Sequence, residues 1–216
     1  MRHIKKFGAL SLLGLLPFIG HADEGEAVYT KGGEKPQALA CTTCHGAQGL
    51  GLPAAGYPNV TGMSADYLAK QLHDFRDGTR SHPIMDPIAR ALSDDEIDSV
   101  TEYMESFDVK EVPMITRAVT PTDEGSWLAL RGDWSRNVPE CVACHGPSGV
   151  GVGESFPRLA DQSSVYIVNQ LKAWQNGTRH NDQDDLMGHI ARALTEDEMK
   201  AVAEYFATIS DQQEEK

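Results

Sequence analysis

Positive charge is scarce in this chain: 19 Lys and Arg stand against 32 Asp and Glu, a formal net charge of −13 over 216 residues. So acidic a protein is repelled by nucleic acid and by anionic lipid headgroups, and no nucleic-acid partner is expected. No stretch beyond the first 22 residues is long and apolar enough to span a bilayer. Strand-type alternation of apolar and polar residues is missing throughout. Cysteine is limited to four residues, all of them in two five-residue segments.

What is present begins with an N-terminal export signal. Arg2, Lys5 and Lys6 precede the apolar run Phe7 to Ile19, and Gly20-His21-Ala22 places small residues where a signal peptidase cuts. Residues 1–22 are therefore expected to be a signal peptide and the mature chain to begin near Asp23. Its removal takes three positive charges and no negative ones, leaving 16 against 32 and a formal charge of −16. That charge keeps the protein soluble and suits a partner with a basic docking patch.

The mature chain is an internal duplication. Gly25, Lys31, Gly32, Cys41, Cys44, His45, Gly46, Gly49 and Gly51 recur 100 residues later as Gly125, Arg131, Gly132, Cys141, Cys144, His145, Gly146, Gly149 and Gly151. One residue is then lost, so that Pro58, Tyr67, Gln71, Leu72 and Gly78-Thr79-Arg80 match Pro157, Tyr166, Gln170, Leu171 and Gly177-Thr178-Arg179. Three are then gained, and Met85 to Leu92 matches Met187 to Leu194. The segment from Asp108 to Glu124, with Pro113 and Pro121, has no counterpart and reads as a linker. The expected organisation is a first domain over 23–110, a linker over 111–124 and a second domain over 125–216.

Each half reads as helical, giving an all-α fold class of two tandem domains. Ser93-Asp94-Asp95-Glu96 and Thr195-Glu196-Asp197-Glu198 are capping boxes, each followed by apolar residues at helical spacing: Ile97, Val100, Met104 and Phe107, or Met199, Val202, Phe206 and Ile209. A middle helix carries Leu68, Leu72 and Phe75, or Ile167, Leu171 and Trp174, and stops at Gly78 or Gly177. A first helix is expected to run into each cysteine pair. Halves of about ninety residues bury little apolar surface from protein atoms alone, so a large flat cofactor at the centre would complete each core.

The cysteine segments name that cofactor. Cys41-Thr42-Thr43-Cys44-His45 and Cys141-Val142-Ala143-Cys144-His145 place two thiols on one helical face, where they can add to the two vinyl groups of a haem, with the adjoining histidine beneath the iron. A Cys41–Cys44 disulfide would close only a tiny loop and leave the histidine without a role. Zinc needs four ligands, and the two pairs are almost a domain apart. A thioredoxin-like pair needs a βαβ context that is absent. Two covalently bound haem c groups are expected, one per half.

The distal ligands follow from the repeat. Apart from His45 and His145, no histidine recurs: His73 aligns with Lys172, His82 falls by the gap, His180 aligns with Ser81 and His189 with Pro87. Met63 aligns with Gln162, Met104 with Phe206 and Met199 with Ile97; only Met85 and Met187 coincide. These two are read as the sixth ligands, in loops just before the final helix. Pro58 and Pro157 are read as supplying the carbonyl that orients each proximal histidine. Arg80 and Arg179 fit either a haem carboxylate or the domain interface, or solvated arginines at a helix end.

With these residues assembled, the chain resembles the cytochrome c4 family, dihaem proteins made of two fused class I cytochrome c domains. The similarity is sharpest at Gly132 to Arg136, Cys141 to Gly151, Phe156 to Leu159, Gln170-Leu171, Gly177 to Arg179 and Met187 to Leu194. Members often have two consecutive methionines at the distal position, whereas here Leu186 precedes Met187. The resemblance implies a periplasmic carrier between a quinol-oxidising complex and a haem–copper terminal oxidase, in some members loosely associated with the membrane. His/Met ligation fills both axial positions and raises the reduction potential, which suits a carrier rather than an enzyme. The rival readings are the electron-accepting subunit of a periplasmic dehydrogenase, a dihaem peroxidase, and a haem sensor, the last disfavoured because no output domain remains.

Overall fold

The computed structural model describes residues 21–115 and 119–213. The export signal, apart from His21 and Ala22, lies outside the described residues. Among these the secondary structure is helical, with isolated bridges instead of strands. The first half holds α1 (His21–Lys31), α2 (Thr42–His45), α3 (Ala65–Asp77), α4 (Met85–Ala91) and α5 (Asp94–Glu105). The second repeats them as α6 (Glu124–Arg131), α7 (Cys141–His145), α8 (Ser164–Gln175), α9 (Leu186–Ala193) and α10 (Glu196–Ala207).

Local chemistry sets these boundaries. Both expected capping boxes are formed: Ser93 Oγ accepts from the Glu96 amide at 3.2 Å while the Glu96 carboxylate accepts from the Ser93 amide at 2.8 Å, and Thr195 with Glu198 does the same at 3.3 and 2.8 Å. Asp123 and Ser126 form a third box that opens α6. The side chains of Ser64 and Ser163 cap α3 and α8. Helix α3 ends at left-handed Gly78 as expected, whereas α8 ends at Asn176, one residue before Gly177.

Two expectations change. The first helix of each half does not run into the cysteine pair: α1 and α6 stop at Lys31 and Arg131, and a separate short helix carries Cys141 and Cys144 in one half and Cys44, with Cys41 just before it, in the other. The cause is Gly32 and Gly132, at φ +93° and +69°, where an added Cβ would lie 2.4 Å from the Ala38 carbonyl oxygen and 2.3 Å from that of Val138. Met85 and Met187 are not in loops: they are the first residue of α4 and the second of α9. Leu92 and Leu194, in extended conformation, separate these helices from α5 and α10.

In each half the first and last helices cross, α1 on α5 and α6 on α10, and the middle helix packs beside them. The crossing requires glycine. A Cβ on Gly25 would come within 2.1 Å of the Ser99 carbonyl oxygen, and one on Gly125 within 2.3 Å of that of Ala201. Behind the crossing lie two separate cores, one around Tyr29, Ile97 and Val100, the other around Leu130, Met199, Phe206 and Ile209. The segment joining the halves is tied to the second: Ser148 Oγ donates to the Pro113 carbonyl and accepts from the Ile115 amide at 2.8 Å, and Ile115 is buried in the second core.

The halves meet across an approximate two-fold. Arg80 and Arg179 pair as an antiparallel bridge, with the Ser81 amide donating to the Thr178 carbonyl and the His180 amide to the Thr79 carbonyl, each at 2.8 Å. Nearby, the Gln162 amide side chain both accepts from the Asn59 amide (3.0 Å) and donates to its carbonyl (2.7 Å).

Candidate haem sites

Helix α7 presents Cys141 and Cys144 one turn apart, with His145 closing the helix. These residues line a cavity with Pro157, Leu171, Trp174, Met187, Ile190, Leu194, Val202 and Phe206. Its non-atom volume, including the mouth open to solvent, is about 960 Å³. The lining is almost wholly apolar. Four residues named from the sequence for the second half, Cys141, Cys144, His145 and Met187, thus share one cavity.

In the first half, Cys41 and Met85 pack with Ile88 against the core of that half. Cys41 takes helical φ/ψ as the residue before α2, so Cys41 and Cys44 are also one turn apart. Cys44 and His45 are partly buried on that helix. The repeat therefore produces the same local frame twice.

Each histidine is oriented by a proline carbonyl. His45 Nδ1 lies 3.1 Å from the Pro58 oxygen, and His145 Nδ1 lies 2.8 Å from that of Pro157. A carbonyl oxygen only accepts, so Nδ1 bears the hydrogen and Nε2 keeps its lone pair, the form a metal ligand requires. Burial pushes both imidazoles below the ordinary histidine pKa, with the carbonyl contacts opposing it, so both rings are neutral near pH 7. Phe156 stands edge-on to the His145 ring at 6.1 Å.

The sulfur environment separates the competing readings. Burial pushes the Cys41 thiol up to about 11 and the Cys141 thiol up to about 12. A structural zinc site requires thiolates, which these surroundings disfavour. None of the four cysteines is paired in a disulfide. No group of three or more His, Cys, Asp or Glu side chains suited to a metal ion occurs among the described residues. A flat apolar macrocycle fits this donor set: two thiols and a neutral imidazole from one helix, a thioether from another, in a mainly apolar cavity.

The interface contributes residues that sequence reasoning did not assign to a site. Met63 and Tyr67 of the first half line the second-half cavity, beside Tyr166, Gln170 and Arg179. Tyr67 recurs in the repeat, since Tyr67 and Gln71 match Tyr166 and Gln170 four apart on one helical face, whereas Met63 aligns with Gln162 and gave no signal. Nothing in a single half says that this face meets the other half. Met104 and Met199 are buried in the cores, as expected of packing residues. Arg80 and Arg179 are buried at the interface, which removes the solvated alternative.

Comparison with known proteins agrees with this geometry. The family model described as Cytochrome c matches residues 22–108 and 137–210. The chain is similar to a thiosulfate dehydrogenase electron acceptor from Stutzerimonas stutzeri, 55% identical over 90% of both chains. It is also similar to cytochrome c4 of Pseudomonas aeruginosa, 33% identical over 91% of this chain and 92% of that one. Among solved structures, a thiosulfate dehydrogenase from Marichromatium purpuratum superimposes with a TM-score of 0.76 at 40% identity over 86% of this chain, which spans only 40% of that longer one. Two helical halves, each with its cysteine pair, show that the chain belongs to the cytochrome c family in the dihaem, two-domain arrangement of cytochrome c4, an electron-transfer protein with two covalently bound haem c groups.

Proposed function

We propose that this protein is the electron acceptor of a thiosulfate-oxidising dehydrogenase in the periplasm and passes the electrons on to a haem–copper terminal oxidase. The observation that carries the reading is the 55% identity, over nine-tenths of both chains, to a relative named for that role. The duplication supports it, because a dehydrogenase releases electrons in pairs and two haems take one each. Export by residues 1–22 delivers the chain to the periplasm, where haem domains 23–110 and 125–216 operate either side of the linker 111–124. In the described residues no helix is long and apolar enough to cross a membrane.

When bound, each haem supplies reversible one-electron chemistry at its iron. The protein's residues do the rest. Cys41 and Cys44 hold the first haem through thioethers, and Cys141 and Cys144 the second. His45 and Met85 would ligate the iron of the first haem, and His145 and Met187 that of the second, so that each iron would be held by the protein rather than left open to substrate. Pro58 and Pro157 keep the imidazoles aimed, and burial keeps them neutral. The apolar walls exclude water, and the low dielectric holds the potentials high.

Donation by a quinol-oxidising complex is the second reading, favoured by the similarity to cytochrome c4. Stopped-flow mixing of the oxidised holoprotein with each donor separates the two. Thiosulfate plus a thiosulfate dehydrogenase should reduce both haems within the dehydrogenase's turnover time. Reduction by the quinol-oxidising complex alone would overturn the proposal.

A further inference from the structure

The segments that lead into the two distal methionines differ. Four residues separate Arg80 from Met85 and seven separate Arg179 from Met187, so the second half carries three extra residues here. Asp184 and Asp185 in this segment take the left-handed conformation, at φ +55° and +57°, which aspartate tolerates better than most side chains. The turn they make brings Asp182 back against the start of α9. Asp185 itself, directly before α9, gives no side-chain cap; its carboxylate pairs with Arg192.

Asp182 caps α9 from further back. Its Oδ2 accepts from the Met187 amide at 2.7 Å and from the Gly188 amide at 3.2 Å. Its Oδ1 accepts from the Trp174 indole nitrogen at 2.8 Å. The first amides of a helix have no acceptor within it, and a carboxylate oxygen binds them more strongly than a neutral one. One side chain thus joins the backbone of the distal methionine to α8, and Met187 and Trp174 both line the cavity of Cys141, Cys144 and His145. The first half is built otherwise. Phe75, which matches Trp174, has no N–H to give, and α4 opens on Ile84 without a side-chain cap. Asp86 accepts from the Ser81 hydroxyl at 2.9 Å and the His82 amide at 2.8 Å, and so fastens the preceding loop rather than the amide of the methionine.

Methionine is unbranched, with three rotatable bonds, so where its sulfur stands depends on how firmly the backbone beneath it is held. We propose that Asp182 is the positioning residue for Met187: by fastening the amides of Met187 and Gly188 to Trp174 on the cavity wall, it keeps the start of α9 in place and the second iron closed to outside ligands. This rests on the reading above in taking Met187 as the distal ligand. An incoming ligand then displaces Met187 only when the start of α9 swings away and the Asp182 bonds break.

The test is the rate at which cyanide displaces methionine in the oxidised holoprotein, followed on the weak sulfur-to-iron band, with two haems per chain verified in each variant used. Met187→Ala identifies the second haem's share of that band. In Asp182→Ala the cyanide rate of the second haem should rise about tenfold or more, what losing one hydrogen bond to a charged acceptor costs, while the first haem keeps its parent rate. Asp182→Asn should also speed it, because an amide has an acceptor on one side only and its NH₂ must face either the indole N–H or the helix amides. This isosteric variant decides the matter if Asp182→Ala does not hold both haems. Trp174→Phe, which keeps a ring and removes the N–H, should give a smaller rise at the same haem. Thr195→Ala, which uncaps α10 and leaves the Asp182 contacts alone, should stay near the parent rate. An unchanged second-haem rate in Asp182→Asn would mean that the methionine leaves by rotating its own side chain, and would overturn the proposal. Equal acceleration at both haems, or as large a rise in Thr195→Ala as in the Asp182 variants, would overturn it too. A band left whole by Met187→Ala would sink the ligand assignment and the proposal with it, whereas a band halved by Met187→Ala beside unchanged Asp182 rates sinks the proposal alone.

Discussion

At the scale of single residues the distal methionines are the most exposed assignment, because packing alone also explains a partly buried methionine. Met85→Ala should open the first iron to cyanide, and the weak absorption band of sulfur-to-iron ligation should fall by about half, since Met187 still serves the second haem. Met187→Ala should act as the mirror image. Titrating each variant with cyanide and following that band is the check; a band unchanged in Met85→Ala would return the first distal position to His82 or His73. The repeat comparison could select Met85 and Met187 because pairing is a sequence property. It passed over Met63, which aligns with Gln162, yet this residue lines the cavity of the other half. Contact across halves leaves no trace in the spacing of either.

At the scale of elements the two helix crossings and the last helix are open to measurement. Gly25→Ala and Gly125→Ala push a methyl group against a backbone carbonyl that cannot move aside, and each should cost about 1–3 kcal/mol in denaturant unfolding. Thr195→Ala removes the cap of α10 and should cost about 1 kcal/mol. The partner of that cap, Glu198, is bound by Arg136 at 2.5 and 3.1 Å, and this contact holds its carboxyl down at about 2. A carboxyl depressed in the folded state stabilises above its unfolded pKa of about 4.3 and loses that contribution as pH falls toward its folded value. The stability of the parent should therefore fall between about pH 4.5 and 2, and Glu198→Gln should flatten that limb. Thermal unfolding across that range is the measurement. The capping boxes were readable in advance because they consist of contacts three residues apart. The ends of α1 and α6 were not, because Gly32 and Gly132 stop those helices only through the loop that folds back onto them.

At the scale of the whole molecule, net charge and the domain interface decide behaviour toward partners. If the acidic surface steers docking, electron transfer with a basic partner should slow as salt rises through the regime where the Debye length is about 10 Å, near 0.1 M. Stopped-flow rates from low to high ionic strength would show it, and a flat profile would reduce the charge to a solubility feature. Duplication, helical class, both cysteine segments and the paired methionines were determined by the sequence alone, since each is a matter of residue type and spacing along one chain. How the halves face each other was decided only by the tertiary structure. Arg80 and Arg179 read equally well as solvated helix ends until the fold buried them against Tyr166 and Gln170, and against Tyr67 and Gln71, of the opposite half. The physical reason is that a charge's environment is set by what surrounds it in three dimensions, and here half of those surroundings come from residues about 90 to 110 positions away in the chain.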